Sequence, residues 1–460
     1  MLEKIWIYHT NDIHSHFDYW PRIHQFLVSE KRKRAGQMFL FDIGDHVDRF
    51  HPFTEGTLGK GNVELLNKAG YQAVTIGNNE GITLSHQDLA ELYENAQFDC
   101  ILANLYEEDG TRPFWAIPWK MFETPYGTKL GVIGVTVNFS NYYNPLQWKV
   151  TDPIEELARW LPKIRQEADI VVVLSHLGLS DDERIANLFP EVDIILGAHT
   201  HHILENGSTI NNCLLCCTGK YGQNVGKVEL VYDQEKNAIV SKKATLIPSE
   251  KLPEAPSEKE ELLSLFERGK SLLNNPVAFL PKNLSANSFE ESELSQLLCS
   301  ALTEWCSADC AFMNAGILIE GLDQGIVTEF DIHRICPHPI NPIVVPLNGQ
   351  KLKEVLVETM NDQYMTLEVK GFGFRGKVFG KIIYDNIQFA EKGAAMKIRI
   401  GGKDLEPDHI YRVATIDMFA FARFYPVITR SEKQFYLPEF LRDLLSWKLA
   451  ELFPVPKNVQ

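Results

Sequence analysis

Short apolar runs recur through the first half of the chain, each followed by a polar loop and often by helical spacing. The runs are Ile5–Tyr8, Met38–Phe41, Gln72–Ile76, Cys100–Ala103, Leu130–Ile133, Ile170–Leu174 and Asp193–Leu196. Each has strand length and is dense in β-branched residues. Between two of them, Pro153–Glu167 sets Ile154, Leu157, Ala158, Leu161 and Ile164 on one helical face. Such alternation predicts an α/β sheet covered on both sides. Beyond Asn212 the helical pattern stops, and Asn224–Tyr232 and Ile239–Ile247 are expected strands joined by a turn at 233–237. A Pro-, Ser- and Glu-rich stretch from Pro248 to Glu258 and a charged helix from Lys259 to Leu273 mark the domain boundary. The second unit mixes an expected helix (Glu291–Trp305) with expected strands at Ile343–Pro346, Lys397–Ile400 and Arg412–Thr415. The expected division is therefore 1–250, a linker helix at 251–275, and 276–460.

Charge narrows the partners. With 61 acidic against 45 basic residues the net charge is −16, which excludes a nucleic-acid polymer, whose phosphate backbone calls for a basic surface. A compact phosphate ester stays open, because bound metal ions add positive charge that the side-chain count omits. Met1–Tyr8 lacks the apolar stretch of a signal peptide, and no segment approaches the ~20 apolar residues of a membrane span. The expected setting is cytoplasmic, with no membrane partner. The eight cysteines form no spaced framework, and Cys213, Cys216 and Cys217 read as buried thiols rather than as a zinc site.

The chemistry lies in the polar segments directly after the apolar runs. Ile5–Tyr8 leads into His9-Thr-Asn-Asp12-Ile-His14-Ser-His16, and Met38–Phe41 into Asp42-Ile-Gly44-Asp45-His46. Gln72–Ile76 leads into Gly77-Asn78-Asn79-Glu80, Ile170–Leu174 into Ser175-His176-Leu-Gly178, and Asp193–Leu196 into Gly197-Ala-His199-Thr-His201. Ligands gather beyond the carboxyl ends of strands in α/β sheets, so five such ends would converge. Singly, each piece is also an ordinary turn or solvated loop. Their recurrence at five strand ends favours a metal site, to which Asp12 and His14, and likewise His199 and His201, spaced i and i+2, can each bring two donors from an extended loop. Seven donors exceed the needs of one ion and suit two divalent ions about 3.5–4 Å apart with a shared carboxylate. Glycines at 44, 77 and 197 are expected to let the chain turn sharply.

In these motifs the sequence resembles the metallophosphoesterases of the 5′-nucleotidase family. The resemblance rests on His9-Thr-Asn-Asp-Ile-His14, Gly44-Asp45, Gly77-Asn78-x-Glu80, Ser175-His176-Leu-Gly178 and Gly197-Ala-His-Thr-His201. It implies a four-layer α/β/β/α catalytic domain, a connecting helix, and an α+β C-terminal domain that captures nucleotide. It also implies that Asp12, His14, Asp45 and His201 hold one ion and that Asp45, Asn78, His176 and His199 hold the other. Asp45 would bridge, a water or hydroxide between the ions would be the nucleophile, and Asn78, Asn79 and Glu80 would line the reaction. Such mixed ligands select metals loosely; Mn²⁺ is the first expectation, with Zn²⁺, Fe or Co²⁺ as alternatives.

Three departures bear on function. Where the family carries a His that assists the leaving group, this chain has Asn79, and an amide cannot act as a general acid. His46, His16 or His51 could serve instead. Asn314-Ala-Gly316-Ile-Leu-Ile319 resembles the family's Asn-x-Gly-Gly-x-Arg, with Ile319 in place of the phosphate-binding Arg; Arg334, Arg375 or Arg423 could substitute. Phe421-Ala-Arg-Phe-Tyr425-Pro426 replaces a glycine-rich stretch. Phe419, Phe421, Phe424 and Tyr425 are candidates for stacking on a base or for core, and Phe372 and Phe374 add to the aromatics of this half. The expected substrate residues are Asn314, Gly316, Arg375, Phe419, Phe424 and Tyr425, with chemistry in the first domain and recognition in the second, across a cleft. The expected function is two-metal hydrolysis of a 5′-nucleotide or similar phosphoester. The alternative is a metal- and nucleotide-binding sensor with little turnover.

Overall fold

The computed structural model describes residues 1–371, 373–390, 397–421 and 424–457; Phe372 and Arg423 lie outside the described residues. The chain divides into two compact units, Met1–Gly269 and Lys270–Gln460.

In the first unit the strands, in chain order, begin with β1 (Leu2–Thr10), β2 (Met38–Asp42), β3 (Ala73–Val74), β4 (Asp99–Ile101) and β5 (Leu105–Glu107). They continue with β6 (Ala116–Ile117), β7 (Trp119–Glu123), β8 (Lys129–Thr136), β9 (Trp148–Val150) and β10 (Ile170–His176). The last are β11 (Ile194–Gly197), β12 (Ser208–Ile210), β13 (Cys213–Cys217), β14 (Asn224–Asp233) and β15 (Ala238–Pro248). They form not one sheet but two principal ones, ordered β15-β14-β1-β2-β3-β4-β6 and β12-β13-β11-β10-β8-β7. β1 runs parallel to β2 and β2 to β3, while β10 lies parallel to both β8 and β11. The single covered sheet read from strand–helix alternation is thus corrected to two, as the four-layer resemblance implies. Alternation along the chain cannot distinguish them, since it does not say which strand pairs with which.

β10 shows why the run Ile170–Leu174 is apolar throughout. Ile170, Val172 and Leu174 face the core between the sheets, with Ile5, Ile7, Phe39 and Phe41 of the first sheet. Val171 and Val173 face the other way, packing with Leu157, Leu161 and Ile164 of the helix Pro153–Glu167. A strand buried on both faces has no place for the polar half of an alternating pattern. That helix starts where Asp152 accepts hydrogen bonds from the amides of Ile154 and Glu155, a side-chain cap for otherwise unpaired donors. The outer face of the first sheet is covered by the helix Trp20–Lys33, whose Phe26 meets Tyr8 edge-on.

The three clustered cysteines lie on β13. Cys216 faces the core between the sheets and Cys213 the helical side. All three are buried, and burial pushes the Cys213 thiol up to about 12, so these are packing side chains rather than thiolates. The helix Glu258–Leu272 crosses the division between the units. Its first part is fastened to the first unit by Arg22–Glu258 and Arg268–Glu64 ion pairs.

The second unit is built on a mixed five-stranded sheet, ordered Ile382–Asp385, Cys310–Asn314, Ile410–Ile416, Pro342–Asn348 and Gln434–Phe435. Leu298 and Leu302 of the helix Glu293–Trp305 and Leu445 of the helix Leu441–Leu452 join Phe312, Val344 and Val413 in its core. No helix among the described residues is long and apolar enough to cross a membrane.

One buried acid yields a test of the packing. Asp182, in the first turn of the helix Leu179–Leu188, is fully buried, accepts a hydrogen bond from Ser175, and lies where a Cβ on Gly197 would be. Burial pushes its carboxyl up to about 8 from an ordinary 3.8, against the Ser175 bond, which lowers it. The folded chain therefore favours the protonated acid. Its contribution is complete below the ordinary value and is lost as the pH rises towards 8. Asp182→Asn, which resembles the protonated form, is expected to raise the melting temperature of metal-free protein near pH 9. The gain should shrink to nothing near pH 4. A pH-independent difference would contradict this.

Candidate metal centre

The polar loops after β1, β2, β10 and β11 meet beyond the carboxyl ends of both sheets. Their backbones are unusual: Asp12 (φ 50°), His14 (φ 50°), Asp45 (φ 52°), His199 (φ 72°) and His201 (φ 57°) all lie in the left-handed region. That region costs a non-glycine residue about 1–2 kcal/mol, and such outliers cluster where function requires a particular side-chain direction. Of the three glycines expected to turn sharply, only Gly44 has a positive φ, at 85°. Gly77 and Gly197 are required for room instead. A Cβ on Gly77 would overlap Asp45 Oδ1 and His176 Cε1, and one on Gly197 would overlap Asp182 Oδ2.

Two donor clusters form, with Asp12 common to both: Asp12, His14 and His201, and Asp12, Asp45 and His176. His201 Nε2 is 3.4 Å from Asp12 Oδ1 and 3.2 Å from His14 Nε2. Asp45 Oδ2 lies 3.6 Å from His14 Nε2 and 3.4 Å from His176 Nε2. Asp45 gives one oxygen to a backbone amide and keeps the other for the cluster, whereas both Asp12 oxygens accept from the His199 amide, Oδ1 at 3.3 Å. Asp12 Oδ2 accepts from Asn11 Nδ2 (2.7 Å) and the His199 amide (3.1 Å), and Asp45 Oδ1 accepts from the Asn79 amide (2.7 Å). The His199 ring sits 5.3 Å from that of His176.

The donor set fits divalent cations. His176 Nδ1 donates to the Ile43 carbonyl at 2.6 Å, so that once the ring is neutral its lone pair is on Nε2, the tautomer a metal ligand needs. That Nε2 and Asn78 Oδ1 are both buried without a hydrogen-bond partner, an arrangement that is costly unless a cation satisfies them. The protonation of the imidazoles agrees. Burial lowers His14, but hydrogen bonds to Asp12 and Asp48 and the charge of Asp45 outweigh it and raise the imidazole to about 10. Burial likewise lowers His176, and Asp45 raises it to about 9. His199 is pushed down to about 4 by burial and by His176. The Asp12 and Asp45 carboxylates are held below their usual range, against burial, by the surrounding imidazoles. A pocket that protonates two buried imidazoles is one whose negative potential divalent ions can neutralise, releasing those protons.

Several residues around this set have roles that the sequence motifs did not assign. Asp48 Oδ2 lies 3.2 Å from His14 Nδ1 and orients that ring; its spacing of three from Asp45 was the available signal. Asn11, beside Asp12, ties that loop to the Gly219 carbonyl. Glu80, expected among the catalytic groups, is a clamp: Oε2 accepts from the amides of Asp45 (2.9 Å) and Gly77 (2.8 Å), and Oε1 from Val47 (2.8 Å). Both oxygens are engaged by backbone, so its role in this structure is to position the loops. The Asn79 amide nitrogen is 2.6 Å from His14 Nδ1. With Nε2 given to an ion, Nδ1 carries the proton, and the Asn79 amide must turn over to present its oxygen.

The three histidines considered as substitutes for the missing acid differ. His46 is buried edge-on against Trp20 and pushed down to about 3 by burial. His51 accepts from the Phe53 amide and caps a short helix. His16 stacks on Tyr221.

In the second unit the structure corrects part of the substrate set. Phe419 and Tyr425 are wholly buried, packed on Phe312 and on each other, so they offer no face for a base. Phe374 is a core ring stacked on His338. Phe424 is half-buried against Phe379 and Tyr364, and Phe421 is exposed. Asn314 is buried and donates to the Phe379 carbonyl, and Gly316 is crowded by the Val378 carbonyl. Ile319 is about half exposed, while Arg334 is engaged by Glu320 and Asp331. Arg375 hydrogen-bonds the Phe374 carbonyl, and its amide donates to His338 Nδ1.

Comparison with known proteins accords with this geometry. Residues 5–202 match the calcineurin-like phosphoesterase family and residues 274–422 the 5′-nucleotidase C-terminal domain. The chain is 42% identical to the uncharacterized metallophosphoesterase YunD of Bacillus subtilis, over 98% of this chain and 100% of that protein. It is 23% identical to the protein UshA of Yersinia enterocolitica, over 90% of this chain and 85% of the other. Among solved structures, the NAD nucleotidase of Haemophilus influenzae shares the fold with a TM-score of 0.68 at 14% identity, covering 98% of this chain and 97% of that one. A 5′-nucleotidase precursor from Thermus thermophilus gives 0.60 at 19% identity, covering 99% and 97%.

The Glu80 clamp can be tested without any substrate. Glu80→Ala would leave three buried amides unpaired, at about 1–3 kcal/mol each. It is expected to lose about 3 kcal/mol or more of stability in urea unfolding and to bind less metal. Glu80→Gln keeps one acceptor and should fall between. An unchanged unfolding midpoint for the Ala variant would refute the clamp.

Proposed function

Because this chain belongs to the metallophosphoesterases that carry a 5′-nucleotidase C-terminal domain, we propose that it hydrolyses small phosphate monoesters, 5′-nucleotides foremost. The observation that carries this reading is the convergence of Asp12, Asp45, His14, His176 and His201 into two clusters that share Asp12; Asp45 Oδ2, 3.6 Å from His14 Nε2 and 3.4 Å from His176 Nε2, also lies between the two histidines, and it is the carboxylate we take as the bridge. Asp12, His14, Asp45 and His201 would hold one divalent ion, and Asp45, Asn78, His176 and His199 the other. Mn²⁺ is the first choice and Zn²⁺, Fe or Co²⁺ come after it, as mixed oxygen and imidazole donors allow. When bound, such a pair supplies Lewis acidity and lowers the pKa of a water molecule.

The protein's own part is orientation. Ile43 and Asp48 fix the imidazole tautomers through Nδ1, and Glu80 holds the loops of Asp45 and Gly77 together. Asn79 hydrogen-bonds within the site but carries no transferable proton, so a departing alkoxide has no acid at that position. Turnover should therefore depend strongly on the leaving group. A second reading, a metal- and nucleotide-binding sensor with little turnover, draws on the same observation, since the Asn79 side chain is engaged with His14. Metal-loaded protein assayed against an aryl phosphate and a panel of nucleotides separates the two. Hydrolysis of either supports the enzyme, and binding without turnover supports the sensor.

Two substitutions probe the centre. Asp45→Asn removes the carboxylate whose Oδ2 lies 3.6 Å from His14 Nε2 and 3.4 Å from His176 Nε2 and is expected to leave no more than one ion per chain by elemental analysis; two retained ions would contradict a bridging Asp45. Asn79→His is expected to speed alkyl phosphates far more than aryl phosphates, by up to about 10²–10⁴-fold if the ring reaches the leaving oxygen. Equal, small effects on both would mean that proton donation is not what position 79 lacks.

A further inference from the structure

Three partly exposed rings run alongside the metal centre within the first unit. His16 stacks on Tyr221 with ring centres 3.8 Å apart and planes 36° apart, and on Phe50 at 4.7 Å and 32°. The pile begins at the ligands themselves: the Tyr221 ring meets His14 edge-on at 5.9 Å, and its amide donates to the Asp12 carbonyl at 2.7 Å. Nearby rings have a different fate, for Phe17 of the same loop and Trp20 at the start of the following helix are buried in the interior. The pile stays at the surface of the site.

Tyr221 is held there against backbone preference. Its φ is 60°, in a turn where Gly219 (84°) and Gly222 (63°) are also left-handed. A bulky aromatic is a poor choice for such a position, which glycine occupies without strain. Nothing in the turn itself calls for a tyrosine, so the ring is the reason to look for a partner. The Lys220 ammonium lies 4.5 Å from the centre of the Tyr221 ring and forms no ion pair among the described residues. It is a long, flexible side chain that a stacking ring can displace.

We propose that Tyr221, backed by His16 and Phe50, is the platform on which the planar base of a nucleotide leaving group lies while its phosphate is held at the metal centre. This rests on the phosphohydrolase reading and adds to it a specificity-determining residue. It also moves part of base recognition from the second unit, whose Phe419 and Tyr425 are core, to the first. Stacking suits the task because every base has a π-face, and the pile starts one ring from a metal-ligand candidate.

The test compares 5′-AMP with ribose 5-phosphate, which keeps the sugar and phosphate and lacks the base. Tyr221→Leu is expected to raise KM for 5′-AMP about tenfold, the effect of losing one stacked base. It should leave KM for ribose 5-phosphate and the metal content unchanged, and Tyr221→Phe should restore the wild-type value. Equal rises in both KM values, a fall in metal content, or no wild-type preference for 5′-AMP would overturn the platform and make Tyr221 a support for the Asp12 loop. Equilibrium binding of adenosine, followed by calorimetry, needs no turnover. If the wild type hydrolyses neither ester, the hydrolase reading falls. The platform then stands if Tyr221→Leu alone weakens adenosine binding, and falls if adenosine does not bind or binds both proteins equally.

Discussion

The structure depends on holding like charges together in a buried place. Asp12, Asp45, Asp48 and Glu80 are all nearly inaccessible to water and occupy neighbouring loops. Unpaired buried carboxylates repel one another and lose hydration. The fold answers with backbone amides, with imidazoles, and with donor atoms that only a cation would complete. Glu80 takes three amides, Asp45 gives one oxygen to the Asn79 amide, both Asp12 oxygens accept from the His199 amide, and Asp12 Oδ1 and Asp45 Oδ2 also lie beside His14, His176 and His201. The left-handed backbone at five of the seven expected ligands belongs to the same solution. Chain that leaves a strand end in an ordinary extended or helical conformation would not turn these side chains inward.

Two sheets, rather than one, make the convergence feasible. β1 and β2 bring Asp12, His14 and Asp45 from one side; β10 and β11 bring His176, His199 and His201 from the other. The apolar face between the sheets, with Ile7 and Phe41 against Val172 and Leu174, fixes how far apart the two sets of loops stand. Packing there is as tight as in any protein interior, so a change in that core is felt at the donor atoms. Gly77 shows how little room remains, since even a methyl group would displace Asp45 and His176.

The aromatic residues divide differently from their order along the chain. Phe419 and Tyr425 close the core of the second unit around Phe312. In the first unit Phe39 and Phe41 belong to the core, while Tyr221, His16 and Phe50 are partly exposed beside the donor cluster. Aromatic content alone therefore indicates neither core nor ligand contact.

Local sequence was enough to expect β1, β2, β8, β10, β11, β14 and β15, the helix Pro153–Glu167, and a set of donors of which Asp12, His14, Asp45, His176 and His201 cluster. Those come from periodicity and from polar residues placed directly after apolar runs, and both are written in neighbouring positions. Local sequence could not show that the strands form two sheets, that Glu80 is spent on amides, that Asn79 leans on His14, or that Phe419 and Tyr425 are buried. Each of those depends on which loop crosses which, as Gly44 crosses Gly77 and Asn79 reaches His14 from sixty-five residues away. Contacts between distant segments are set by packing and by the satisfaction of buried polar groups, and they exist only once the chain has folded.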